Sequence, residues 1–206
     1  MPELRFRFEK RGRSAYLSHL DVMRTFQRAF IRAGIRLRHS EGFNPHPKMS
    51  IAQPLQLGCE SVCEVLDVSV LEGPEDMVSP LNAALPEGLR ILSVSEAGSH
   101  VREIAWSRWA LTFASPGEAE RGSEILHAPA LIVEKKTKRG VNPLDIAPHL
   151  RIEGREGARL TLTLRAGEPT VNTGDVAKAF AGASEAPLGF RALRLCFLNE
   201  KMAEFL

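Results

Sequence analysis

Residues 4–39 read LRFRFEKRGRSAYLSHLDVMRTFQRAFIRAGIRLRH, and the periodicity of the apolar positions changes twice within them. Leu4, Phe6 and Phe8 alternate with Arg5, Arg7 and Glu9, the pattern of a half-buried strand. Residues 10–16 turn. Ser18 with Asp21 forms an S-x-x-D capping pattern in front of a helix. Leu20, Met23, Phe26 or Gln27, Phe30 and Ala33 then recur at helical spacing, and Gly34 ends the helix as a C-terminal cap. A second strand follows near Ile35–His39. One stretch thus predicts β-α-β.

Outward from it, Gly and Pro make Glu41–Lys48 a loop. An interrupted strand region spans 49–71, ending in Val65–Val70. Pro74–Leu85 reads as a helix with proline at its start, and Leu89–Val94 as a strand. The order β-α-β-β-α-β is the ferredoxin-like one. The second half repeats that order without repeating residues. Trp106–Ala114 reads as a strand, Pro116–His127 as a helix and Ala130–Lys136 as a strand. Gly140–Pro143 reads as a linker and Arg159–Arg165 as a strand. Thr173–Ala181 is a helix capped by Asn172 or Thr173, and Arg191–Leu198 the last strand. The expected fold is α+β, two ferredoxin-like βαββαβ domains in tandem, residues 1–98 and 102–206, with the boundary near Gly98–Arg102.

Composition fits that expectation. The 206 residues are 44% hydrophobic and 25% charged, as in an ordinary globular protein. No apolar run approaches the ~18–20 residues of a membrane helix. Met1–Arg5 lacks the apolar core of a signal peptide, so no membrane association and a cytoplasmic location are expected. Cys59, Cys63 and Cys196 form no disulfide framework; buried thiols are the expectation. The net charge of +2 is unevenly spread. Residues 1–50 hold eleven Lys/Arg against four Asp/Glu, leaving +7 there and −5 in the remainder. Such asymmetry points to an anionic partner for the first part, with a solvated basic face as the plain alternative.

Arg24, Arg28 and Arg32 lie four apart, on one helical ridge. Three guanidiniums there repel unless an anion sits among them, and arginine favours bidentate contact with phosphate. The alternative is a solubilising face with Asp21 pairing Arg24 or Arg28. Arg5, Arg7, Arg36, Arg38 and Lys48 add to the basic half. His19 stands in the first helical turn, where positive charge is disfavoured and a neutral imidazole serves as base or ligand, or simply packs. Loop 40–48 is stiffened by Pro45 and Pro47 and offers Phe43 for stacking, Asn44 as an amide, His46 as an imidazole and Lys48 as a cation. An unpaired base on Phe43 is ordinary RNA chemistry; a structural loop with Phe43 in the core is the rival. His39, Glu41 and His46 match no metal-ligand spacing, and no metal is expected. No glycine-rich phosphate loop, nucleophile elbow or zinc-protease helix occurs, so no cofactor is expected. The basic run Glu134–Gly140 reads as a hairpin edge or a second anion contact.

Tyr16-Leu17-Ser18-His19-Leu20-Asp21-Val22-Met23-Arg24, Ser40-Glu41-Gly42-Phe43-Asn44-Pro45-His46-Pro47-Lys48, Pro54-Leu55-Gln56-Leu57-Gly58 and Glu64-Val65-Leu66-Asp67-Val68 strongly resemble the radical-SAM-linked proteins, the domain of unknown function 2344. The resemblance covers nearly the whole chain, with weaker support from Lys135–Lys138 and Leu144–Ile146. It implies a radical-SAM protein as partner and an RNA context, rRNA or tRNA, with this chain as the stand-alone form. Together with the basic first half it suggests an RNA-binding accessory that presents RNA to that partner. Arg24, Arg28, Arg32 and Lys48 would hold phosphates, and Phe43, Asn44 and His46 would contact a base. Two rivals stand beside it. One is a metal-independent RNA endonuclease using His19, His46 and Lys48. The other is a protein-only adaptor that docks the radical-SAM partner.

Overall fold

A computed structural model of the chain describes residues 3–137, 140–183 and 188–205. The opening alternation forms strand β1 (Glu3–Lys10), with Phe6 and Phe8 fully buried. Helix α1 (His19–Arg32) starts where expected. Ser18 Oγ accepts the Asp21 N–H at 3.2 Å, and the same hydroxyl donates to Asp21 Oδ2 at 2.6 Å. Gly34, at φ +71°, turns the chain out of the helix in a conformation that favours glycine. Val22, Phe26, Ala29 and Phe30 are the buried face of α1. Phe30 meets Phe6 edge-on at 5.3 Å and Phe26 meets Phe8 at 4.8 Å; such pairs contribute about 0.5–1.5 kcal/mol each beyond their buried area. Leu20, expected in this core, is exposed, because it falls on the flank of the helix away from that face.

After α1 come β2 (Arg36–Leu37), β3 (Met49–Ile51), β4 (Glu60–Glu72), α2 (Val78–Ala84) and β5 (Leu89–Glu96). The strands run β5-β1-β4, and the short β2 and β3 pair with β4, all antiparallel. The expected second strand at 35–39 is therefore cut to two residues, with β3 a second fragment beyond loop 38–48. Helix α2 starts later than Pro74, because the Asp76 carboxylate accepts the N–H groups of Val78 and Ser79 and sets the first turn there.

The chain divides into two compact units, Met1–Val101 and Arg102–Leu206. The second holds β6 (Trp106–Thr112), α3 (Pro116–Leu126), β7 (Ile132–Thr137), β8 (Gly140–Asp145), β9 (Leu150–Glu156), β10 (Arg159–Arg165), α4 (Thr173–Ala183) and β11 (Arg191–Leu198). Its sheet runs β11-β6-β10-β9, antiparallel throughout, and among the described residues β7 and β8 pair with each other alone. Here the sequence reading is corrected. The strand expected at 130–136 does not join the main sheet; it forms a hairpin with the stretch expected to be a linker. The strand beside β10 is β9, which had not been anticipated. Asn172 is the cap of α4: its Oδ1 accepts the Asp175 N–H at 3.0 Å and its N–H donates to Asp175 Oδ2 at 3.1 Å. The molecule is α+β. Neither unit is a plain ferredoxin-like domain, since the first splits its second strand and the second inserts a hairpin. No described helix is long and apolar enough to cross a membrane.

Candidate functional site

Loop 38–48 leaves the first unit between β2 and β3 and is closed at its base. His39 and Pro47 form an antiparallel bridge. The Ser40 N–H donates to His46 O at 2.8 Å, the His46 N–H to Ser40 Oγ at 3.0 Å and the Lys48 N–H to Arg38 O at 2.7 Å. Gly42, at φ +125°, makes the tip turn. Above this base Phe43 is 108% exposed, so the structure rejects a core role for it. Asn44, His46 and Lys48 are exposed beside it.

The arginine ridge of α1 is less uniform than its spacing suggests. Arg24 lies 3.9 Å from Asp21. The Ser18 hydroxyl holds the Asp21 carboxyl below its usual range, and Arg24 adds to this. Arg32 Nη2 donates to Ala84 O at 2.5 Å, closing the end of α2. Arg28 is exposed and makes no hydrogen bond or ion pair with a described residue. Arg36 pairs with Glu72 at 2.9 Å. Arg5, placed by sequence on the polar side of β1, is 2% exposed and clamped by Asp67, with Nε to Oδ1 at 2.8 Å and Nη2 to Oδ2 at 2.9 Å. Arg28, Arg38 and Lys48 thus have no side-chain partner among the described residues.

His19 lies at the other end of α1 from the groove at the loop's base. It stands at the start of α1, a helix about 21 Å long, and lines a cavity of about 10 Å³, room for one water, with Lys10, Val22, Ile51, Leu55 and Glu64. No hydrogen bond or ion pair among the described residues links His19, His46 and Lys48. Lys10 and Glu64 are buried, a placement charge alone does not suggest, although Lys10 continues the apolar alternation Leu4, Phe6, Phe8. Its Nζ donates to Ala15 O at 3.0 Å and Leu17 O at 2.8 Å, tethering the turn before α1. The C-terminal half of α1 instead meets the loop's base. A groove of about 610 Å³ there is lined by Ile31, Ile35, Leu37, His39, Pro47 and Leu71, among others.

In the basic run of the second unit, Lys135 Nζ pairs with Asp175 Oδ2 at 2.8 Å and also reaches Thr170 O, fixing the hairpin to the start of α4 rather than offering a free cation. Lys138 and Arg139 lie outside the described residues. The carboxylate of Asp145 accepts the N–H groups of Leu131 and Ala147 at 2.8 and 3.0 Å. The three cysteines are unbridged thiols, all buried. No cluster of three or more His, Cys, Asp or Glu able to hold a metal occurs among the described residues.

Comparison with known proteins adds three findings. No curated protein matches the sequence. A chain from the crystal structure of a Cbf5-Nop10-Gar1 complex aligns with a TM-score of 0.45 at 9% identity, over 93% of this chain and 49% of that one, so this chain spans about half its length. The crystal structure of an unknown protein from Galdieria sulphuraria aligns with a TM-score of 0.27 at 16% identity, over 93% and 98%. Likenesses of this strength fix neither fold nor function. Residues 3–173 match the family model described as an uncharacterized protein conserved in bacteria, domain of unknown function 2344. With most of its length matched, this chain belongs to that family.

Proposed function

We propose that this protein is an RNA-binding accessory that presents an RNA substrate to a radical-SAM partner. The observation that carries the reading is Phe43, a whole aromatic ring in solvent at the tip of a loop whose base is pinned by hydrogen bonds. An aromatic ring standing in water is suited to stacking on an unpaired base, because stacking needs an accessible π-face. Arg38 and Lys48 emerge at the loop's base and supply phosphate contacts, with Arg28 on α1 as a further cation. Arg32 is removed from the phosphate set, since it closes α2. No hydrogen bond among the described residues links His19 to His46 or Lys48, and the binding reading needs no such link.

The test is fluorescence anisotropy with labelled RNA across a salt series. Each phosphate contact on single-stranded RNA contributes about 0.7 to the slope of log affinity against log salt. Arg28→Ala with Lys48→Ala is expected to flatten the slope by about 1.4 units. Absence of wild-type binding at low salt rejects the proposal. Specific cleavage of the RNA in chelator would replace it with the endonuclease.

A further inference from the structure

Strand pairing in the second unit separates two faces of its sheet. Leu111, Leu160 and Leu162 are fully or almost fully buried on one. On the other, Arg191 lies opposite Thr112, which lies opposite Arg159, which in turn faces Glu156. Further along the same face, Cys196, Arg108, Thr163 and Arg151 form another cross-strand row, and Leu198, Trp106 and Arg165 the next. This face therefore carries five arginines.

They are not equivalent. Arg165 forks onto Glu200, with contacts of 2.6 and 2.8 Å. Arg108 Nε stands 2.7 Å from Glu153. Both act within the fold, beside the small cluster of Trp106, Cys196, Leu198 and Met202. The other three make no contact-distance ion pair among the described residues, although Glu156 stands opposite Arg159 and Glu200 acts on Arg151 through space. Arg159 and Arg191 are exposed on either side of β6, about 10 Å apart at two strand spacings, with the Thr112 hydroxyl between them. Arg151 is exposed and lies over the Trp106 ring at 4.6 Å. Stacking holds that guanidinium in place, so little freedom is lost when it binds. Three exposed guanidiniums on one face, none locked in a contact ion pair, offer phosphates bidentate contact.

We propose that this face is a second phosphate-binding surface for single-stranded RNA, contacted by Arg151, Arg159 and Arg191. The proposal rests on the RNA reading of the protein and adds a site on the second unit. A sheet face sets its cations out in rows that an extended strand can follow, as other single-strand binders track a backbone.

The experiment uses the full chain and a fluorescein-labelled twelve-nucleotide oligouridylate, measured by anisotropy across a salt series. Arg151→Gln, Arg159→Gln and Arg191→Gln together are expected to flatten the salt slope by about 2 units. The corresponding triple Lys variant is expected to keep most of it. Arg165→Gln, whose arginine is already paired, is expected to lower the melting temperature and leave the slope unchanged. A wild-type slope in the triple Gln variant, alongside a flattened slope in the Arg28/Lys48 variant, overturns this site and leaves the RNA reading standing. Equal loss of binding in the Gln and Lys triples, with a lowered melting temperature, also overturns it by assigning these residues a structural role. No binding by the wild type removes both.

Discussion

Phe43 keeps its ring in water, while Phe6, Phe8, Phe26 and Phe30 are buried in the same unit. If it stacks on a base, Phe43→Ala is expected to weaken RNA binding about 5- to 150-fold, the equivalent of the ~1–3 kcal/mol that base stacking contributes. Its melting temperature should stay at the wild-type value, because an exposed ring contributes little to the core. Arg5 is the opposite case. Asp67→Ala leaves its guanidinium buried without its carboxylate and is expected to cost about 3–5 kcal/mol in urea unfolding, with RNA affinity of the folded fraction unchanged. The roles of these two residues differed in legibility. The exposure of Phe43 was one of two alternatives that composition left open. The burial of Arg5 was hidden, since alternation assigns the polar side of a strand to solvent and does not register that β4 is buried along most of its length, placing Asp67 within reach.

At the scale of elements, α1 was readable because capping residue, apolar spacing and terminal glycine all agree on its limits. The hairpin and β9 were not. Leu150-Arg151-Ile152-Glu153-Gly154-Arg155-Glu156 is an edge strand whose residues are mostly exposed, so it has too few apolar positions to show a period. The loop at 40–48 was legible from its prolines and glycine; the groove at its base was not, because it forms from residues distant in sequence. Two substitutions test how elements are joined. Arg32→Ala removes the donor to Ala84 O and is expected to lower the melting temperature, whereas Arg28→Ala, on the same ridge, leaves it unchanged. Gly88 stands at φ +86°, and a Cβ there would lie 2.3 Å from Arg11 O. Gly88→Ala is therefore expected to destabilise by more than about 1 kcal/mol, read as a shift in the urea midpoint.

Across the whole molecule, carboxylates at or near the surface fasten local structure in both units. Hydrogen bonds from Ser79 lower the Asp76 pKa below 3.8, and the Leu131 and Ala147 N–H groups do the same for Asp145. The Arg165 guanidinium lowers Glu200 below 4.5. A carboxylate with a depressed folded pKa stabilises fully above its unfolded value, and that contribution is lost as pH falls through the folded value. The urea midpoint is thus expected to be level from neutrality to about pH 5 and to fall below about pH 4, less steeply in Asp145→Asn. The α+β class was visible at this scale because two periods alternate along the chain. The identity of a ligand was not, because composition records charge and not a ligand's shape.

The register around the projecting loop has a further consequence. Leu37 faces Val70 and Met49 faces Val68, while the Arg38 N–H donates to Ser69 O and Lys48 O accepts the Ser69 N–H. Arg38 and Lys48 thus share one partner, and Met49 occupies the place that the next residue of an uninterrupted strand would take. Residues 39–48 are consequently an excisable cassette. A chain joined directly from Arg38 to Met49 keeps the alternation of faces, so the sheet can be inherited unchanged while the cassette is lengthened, shortened or exchanged, and recognition can diversify without the fold having to be reinvented.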